Sequence, residues 1–253
     1  MYKASWPIPE NVGIAMTHRH GGVSKPPFDS LNLGLHVGDL ASDVLANRAL
    51  IQQQLLIASP LLWLEQVHGT EIIDCSNLSV ASLANKLPPK ADGSYSSSAH
   101  ISLAIMTADC LPVLLCNKQG TEIAAVHAGW RGLCDGVIEV AVDKFNCETT
   151  DIMAFLGPAI GPEAFEVGAE VKHQFVEQHP DSSQFFKPVA NNLQIDSNKY
   201  LADLASLAKH RLTLLGVNQV FSADICTFSS HDYFSYRRDQ KTGRMASLIW
   251  LKS

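Results

Sequence analysis

Three side chains, His68, Cys110 and His127, are of the types that can hold a catalytic metal ion. A thiolate and two neutral imidazoles suit zinc, and three protein ligands leave a fourth position open for water or substrate. Each stands where an apolar run stops, with small residues beside it: Q-V-H-G-T, T-A-D-C-L-P and V-H-A-G-W. Their separations, 42 and 17 residues, form no local motif, so only the fold can bring them together. The structural alternative makes Cys110 a small core hydrophobe and His127 a satisfied interior imidazole. A third arrangement uses Cys110 as a nucleophile and His127 as its base, with no metal.

Anion-binding and proton-moving groups surround these candidates in the sequence. Arg131, in G-W-R-G, stands at a helix entrance, where unpaired backbone N–H groups and a guanidinium together favour an anion; a salt-bridged surface arginine is the alternative. Arg48 lies on a predicted helix and matters if it points at the His68 turn, 20 residues further on. Tyr236, Arg237, Arg238 and Arg244 make either a charged loop closing the last hairpin or a clamp on phosphate. Asp109, beside a candidate ligand, is the nearest carboxylate for proton transfer, with Asp92 and Glu166 in reserve, and no H-x-E signature of a zinc deaminase is present. Asp109 reads first as an acceptor that positions its turn.

The elements that must position these groups follow from periodicity and turn chemistry. Val12 to Met16 is a predicted strand, and Leu31, Leu33, Leu35 and Val37 alternate in an ordered loop or short extended piece. Ser42 is the expected cap of a helix ending before Pro60. Leu61 to Val67 and Glu71 to Cys75 read as two strands joined by a tight turn holding His68, and Ser76 to Ala99 as the longest loop. Strands are predicted at Ile101 to Met106, Pro112 to Cys116 and Glu122 to His127, then a helix over Leu133 to Phe145 and a strand at Ile152 to Leu156. F-E-V-G opens another predicted helix, Leu201 to Leu215 is a further one stopped by Gly216, and Val217 to Ile225 and Met245 to Leu251 are the last strands. Hairpin-length turns between strands exclude a purely parallel doubly wound sheet, so the expected fold class is mixed α/β. Neither G-x-G-x-x-G nor a Walker A sequence is present.

Hydrophobic residues at 46% and charged residues at 17% exclude a disordered chain. A net charge of -6 argues against nucleic acid as a partner. Six cysteines without a C-x-x-C pair read as mostly reduced. The first residues lack a charged head followed by an apolar core, and no run approaches the roughly 20 residues of a membrane span. The expectation is a cytoplasmic protein, one domain over residues 1–253, monomeric or a weak homodimer, with no membrane partner.

Taken together, T-H-R-H-G-G-V-S, S-L-N-L-G, the helical N-R, L-E-Q-V-H-G-T, A-D-G, T-A-D-C-L-P-V-L-L, A-A-V-H-A-G-W-R-G, L-G-P-A-I-G, F-E-V-G and F-S-Y-R-R-D-Q-K-T-G-R-M-A-S resemble the laccase-domain family, also called the multicopper polyphenol oxidase or purine nucleoside phosphorylase family. The resemblance spans nearly the whole chain. It implies a zinc site from His68, Cys110 and His127, an arginine on phosphate at Arg48, and a single domain of mixed sheets layered with helices, similar to certain cysteine-hydrolase toxins. It also implies phosphorolysis of adenosine, inosine, guanosine and methylthioadenosine, with nucleoside and phosphate as partners and adenosine deamination as a second activity. Relatives are linked as well to amide hydrolysis in cell-wall precursors, for which a metal-activated water is equally suited. Four-copper oxidation needs several paired H-x-H elements, and only His18-Arg19-His20 is present, so copper is expected only as an adventitious or alternative metal.

Overall fold

The computed structural model describes residues 6–79, 87–191 and 194–252. Two stacked sheets form its centre. The first has the order β1 (Val12–Met16), β13 (Met245–Leu251), β5 (Ser102–Thr107), β2 (Leu61–Leu62). The second has the order β12 (Gln219–Ser222), β8 (Ile152–Leu156), β6 (Leu111–Asn117), β7 (Ile123–Ala128), β4 (Gly93–Ser96), β3 (Ile72–Asp74). β12 runs parallel to β8 and β3 parallel to β4, while β6 is antiparallel to both neighbours, so the sheet is mixed.

Burial on both faces explains why β6 reads as a continuous apolar run rather than an alternating one. Leu114 and Cys116 point into a core shared with Leu103 and Ile105 of β5 and Ile249 of β13. Leu111, Val113 and Leu115 point the other way, against Leu133, Val137 and Ile138. Those three belong to α2 (Trp130–Asp135) and α3 (Val137–Val142). Outside the first sheet, Leu31, Leu33 and Ile51 cover Ala104 and Leu248, which places α1 (Ala41–Gln54) and the segment before it on that face. The layers therefore run α1, first sheet, second sheet, helices. Each fully buried leucine in them contributes about 1.5–3 kcal/mol relative to exposure.

Several elements differ from the sequence expectation, each for a physical reason. Leu61 to Val67 and Glu71 to Cys75 are no hairpin: β2 pairs with β5 in one sheet and β3 with β4 in the other, so the His68 turn crosses between sheets. The loop predicted over Ser76 to Ala99 contains β4, whose small residues Gly93, Ser94 and Ser96 are buried; residues 80–86 of it lie outside the described residues. The predicted helix over Leu133 to Phe145 starts earlier, at Trp130, and breaks at Gly136, whose φ of 97° ends α2. Ser42 does not cap α1; Leu40 holds the cap position, and the Ser42 hydroxyl bonds the Asp43 carboxylate instead.

F-E-V-G opens with a strand, β9 (Glu166–Gly168), before α4 (Ala169–Gln178). Leu201 belongs to β11 (Gln194–Ala202), which joins β9 to β10 (Phe186–Asn191) in a third sheet. α5 (Leu204–Leu214) starts where the Asp203 carboxylate accepts the Ser206 N–H, and Gly216 follows it at φ 87°. The predicted strand Val217 to Ile225 shortens to β12, and Tyr236–Asp239 forms the short helix α6. No helix among the described residues is long and apolar enough to cross a membrane.

Candidate metal and substrate site

The chain passes between the two main sheets at the turn Ala108 to Cys110 as well as at the His68 turn, and β7 ends beside both crossings. That is how residues 42 and 17 positions apart meet: the ligand atoms of His68, Cys110 and His127 all lie within 4.8 Å of one another. Cys110 Sγ stands 3.9 Å from His68 Nε2, and the two imidazole rings pack edge to face with centroids 4.8 Å apart. Two of the crossing residues take positive φ, His68 at 62° and Asp109 at 89°.

Asp92 secures this geometry. The A-D-G motif places it just before β4, fully buried. Its Oδ1 accepts the His127 Nδ1 proton at 2.8 Å and the His68 backbone N–H at 2.9 Å. Its Oδ2 accepts the backbone N–H groups of Gly69 at 2.6 Å and Val67 at 3.2 Å. One carboxylate thus fixes the His68 turn and the orientation of His127, leaving Nε2 of that ring for the cluster. Burial opposes the charge of Asp92, but the His127 and backbone hydrogen bonds prevail and hold its carboxyl below the ordinary value.

The electrostatics favour a deprotonated sulfur. Burial pushes the Cys110 thiol up, yet His127 and then His68 outweigh it and bring it down to about 6. Burial likewise lowers His127, but the Cys110 thiolate and Asp92 raise it to about 9. Cys116, on the same strand, shows the contrast: burial alone pushes it up to about 12.

The surroundings also suit an ion. A Cβ on Gly129 would stand 2.8 Å from His68 Cδ2, 3.3 Å from Cys110 Sγ and 3.6 Å from His127 Cε1, so a glycine there keeps the cluster's flank open. A Cβ on Gly132 would come within 2.6 Å of the Gly69 carbonyl, which explains the second glycine of G-W-R-G as a close approach of helix and turn. Deprotonated sulfur, two imidazoles, an orienting carboxylate and an open side are the donor set that a metal ion with a free coordination position requires.

The cluster forms one side of a cleft of about 380 Å³. Its lining also includes His36, Gln66, Met106, Tyr236 and Arg244. Gln66 is bound to the backbone of Met106 through both ends of its amide, Nε2 to O at 2.7 Å and N–H to Oε1 at 2.8 Å, which pins the His68 turn to β5. Arg244 uses Nη1 on the carbonyls of Thr242 and Gly243, its Nε and Nη2 have no hydrogen-bond partner among the described residues, and its guanidinium stands 5.9 Å from the Tyr236 ring centre.

The other residues singled out in the sequence are placed as follows. Arg48 is not in the cleft lining; its Nε and Nη2 donate to the Leu33 carbonyl at 2.9 and 2.8 Å, and its guanidinium lies 3.8 Å from the Trp63 ring centre. Arg131 is exposed, stacks on Trp130 and lies outside the lining. Asp109 is buried and accepts from the Thr227 hydroxyl at 2.7 Å and the Arg237 backbone N–H at 2.6 Å, tying the Cys110 turn to α6. Glu166 pairs with Lys199 at 2.6 Å, away from the cleft. Arg237 and Arg238 bind backbone carbonyls, Arg237 those of Ala164 and Glu166, and Arg238 those of Thr227, Phe228, Ser230 and Tyr233. The sequence hides His36 because the leucines around it carry the stronger signal; its place two residues after S-L-N-L-G is the available clue.

Fold and site together define a class: a mixed α/β protein of stacked sheets with a two-histidine, one-cysteine cluster at their seam. The chain belongs to the family described as multi-copper polyphenol oxidoreductase laccase, whose family model matches residues 13–252. Purine nucleoside phosphorylase YfiH of Shigella flexneri is 49% identical over 247 residues, covering 97% of this chain and 96% of its own. A purine nucleoside phosphorylase of Pseudomonas aeruginosa is 44% identical, covering 98% and 96%. Among solved structures, a Neisseria meningitidis protein matches with TM-score 0.90 at 43% identity, covering 99% of this chain and 98% of that one. YlmD from Geobacillus stearothermophilus matches with TM-score 0.83 at 29% identity, covering 98% and 94%.

Proposed function

We propose that this protein is a zinc-dependent purine nucleoside phosphorylase, acting on adenosine, inosine, guanosine and methylthioadenosine, with adenosine deamination as a second activity. The observation that carries the reading is the juxtaposition in one cleft of the His68–Cys110–His127 set with the guanidinium of Arg244 and the imidazole of His36. The names of the relatives above support the same assignment. The family description also mentions copper, but a multicopper oxidase needs several ligand sets, and the described residues contain one His/Cys/carboxylate group of the kind that holds a metal.

His68, Cys110 and His127 would hold the ion, which when bound supplies Lewis acidity to a substrate oxygen. The protein's own groups do the rest. The free donors of Arg244 bind phosphate, with Arg48, bound to the Leu33 carbonyl, adding positive charge to the segment that carries His36. Met106 and Tyr236 offer apolar faces to the purine. Holding phosphate and nucleoside side by side removes the entropy cost of their meeting, which is the main demand of a displacement at the anomeric carbon.

The test is incubation of the purified protein with inosine, with and without phosphate, and identification of products by mass. Hypoxanthine and ribose 1-phosphate should appear only with phosphate, and treatment with a chelator followed by zinc should abolish and then restore them. Purine release independent of phosphate would overturn the reading. Inosine formed from adenosine without phosphate reports the deaminase activity.

A further inference from the structure

Phosphorolysis expels a purine, which leaves poorly as an anion and needs a proton as the glycosidic bond breaks. Among the described residues no carboxylate lines the cleft. Asp92 and Asp109, the nearest ones, spend both oxygens on backbone, hydroxyl or imidazole donors. Apart from the candidate ligands, the ionisable side chains of the lining are His36, Tyr236 and Arg244. Of these only an imidazole ordinarily changes charge near neutral pH.

We propose that His36 is the acid–base group of the cleft, giving its proton to the departing purine and recovering one from the incoming phosphate. The inference rests on the phosphorylase reading above. His36 lies on the single turn Leu35–Val37, exposed, and its ring nitrogens have no hydrogen-bond partner among the described residues. The turn is held from both sides: Arg48 grips the Leu33 carbonyl, and the Asn32 side chain binds the backbone N–H groups of Gly34 and Arg244. Gly34 lets the imidazole and the guanidinium stand together, since a Cβ there would come within 2.8 Å of Arg244 Cγ and 3.4 Å of His36 Cε1.

The charges around it make the proton conditional on substrate. Partial desolvation first, then Arg244 and Arg48, lower the His36 pKa, which favours the neutral ring. A phosphate dianion among these groups offsets both guanidinium charges and favours the imidazolium. The glycosidic C–N bond then breaks with its electron pair passing to the purine nitrogen, and a phosphate oxygen bonds to the anomeric carbon. The imidazolium proton goes to the purine. The proton that hydrogen phosphate carried in returns to His36, leaving ribose 1-phosphate and neutral purine.

The experiment compares inosine with 7-methylinosine, whose cationic purine leaves without being protonated, at saturating phosphate. The zinc-loaded wild type, His36→Asn and His36→Gln are used. Both variants should lower kcat for inosine by about a hundredfold or more, while 7-methylinosine turnover stays within about threefold of wild type. Unchanged zinc content and melting temperature show that the fold is intact. Equal losses on both substrates, or inosine turnover within about threefold of wild type, would overturn the assignment. A wild type that releases purine from neither substrate would remove the phosphorylase reading itself, a result distinct from active variants.

Discussion

The two sides of the cleft are built in opposite ways. The side with His68, Cys110 and His127 hangs from strand ends and sheet crossings, with buried Asp92 gathering the His127 ring and three backbone N–H groups. The side with His36 and Arg244 is made of loops, held by Asn32 and by Arg48 on a single carbonyl. A metal ion tolerates little error in ligand position, and a sheet seam offers little freedom. A phosphate and a nucleoside must enter and leave, and loops allow that. On the proposed reading one side binds metal and the other handles substrate, and mutations should separate them.

Asp92→Ala should have the largest effect. It leaves the His127 imidazole without its partner and removes the acceptor of three N–H groups, so stability should fall by about 3–5 kcal/mol, as when one member of a buried charged pair is removed. Metal affinity should weaken by about 10- to 100-fold, the usual result of losing an orienting carboxylate behind a histidine ligand. Chelator competition and thermal melting measure the two. Unchanged metal affinity would remove Asp92 from the metal side.

Arg48→Ala tests the loop side. Loss of two charge-assisted hydrogen bonds to Leu33 should cost about 1–3 kcal/mol of stability. The displaced turn should raise the KM for phosphate by about tenfold or more, equivalent to the loss of one such interaction with the anion. Zinc content should not change. A variant that released its metal would break the division between the two sides, because Arg48 contacts none of the cluster.

The same division decides what could be read from the sequence. His68, Cys110 and His127 are visible because an apolar run stops at or beside each, and such a stop at a polar residue is a local signal. That they meet was not visible, because it depends on the two crossings between sheets. The apparent hairpin around His68 failed for this reason: Leu61 and Ile72 have strand-forming neighbours, but nothing local says which sheet each joins. Asp92 stood out only as part of A-D-G, since its four donors come from two stretches distant from it in sequence, Val67 to Gly69 and His127. The loop side was less legible still. The alternation of Leu31, Leu33 and Leu35 marks buried positions, and Leu31 and Leu33 are indeed buried, but periodicity does not point to His36 beside them. β9, β10 and β11 were missed because F-E-V-G and the residues before Leu201 lack an alternating pattern strong enough to outweigh the helices next to them.

Gly34→Ala should have the smallest effect and sharpens the comparison most finely. The new Cβ would meet Arg244 Cγ at 2.8 Å, too close to stay, and Arg244 Cβ at 3.2 Å, so the root of that side chain must shift by a few tenths of an ångström. Stability should therefore drop by about 1 kcal/mol, the low end of the cost of overpacking. The backbone at Gly34 has a φ of -96°, so alanine adds no strain there. What should change is the spacing of Arg244 and His36: the KM for phosphate should rise a few-fold and kcat for inosine fall, while zinc affinity and 7-methylinosine turnover hold. If loops position these two groups only loosely, kinetics will match the wild type, and the cationic side works by charge alone rather than by placement.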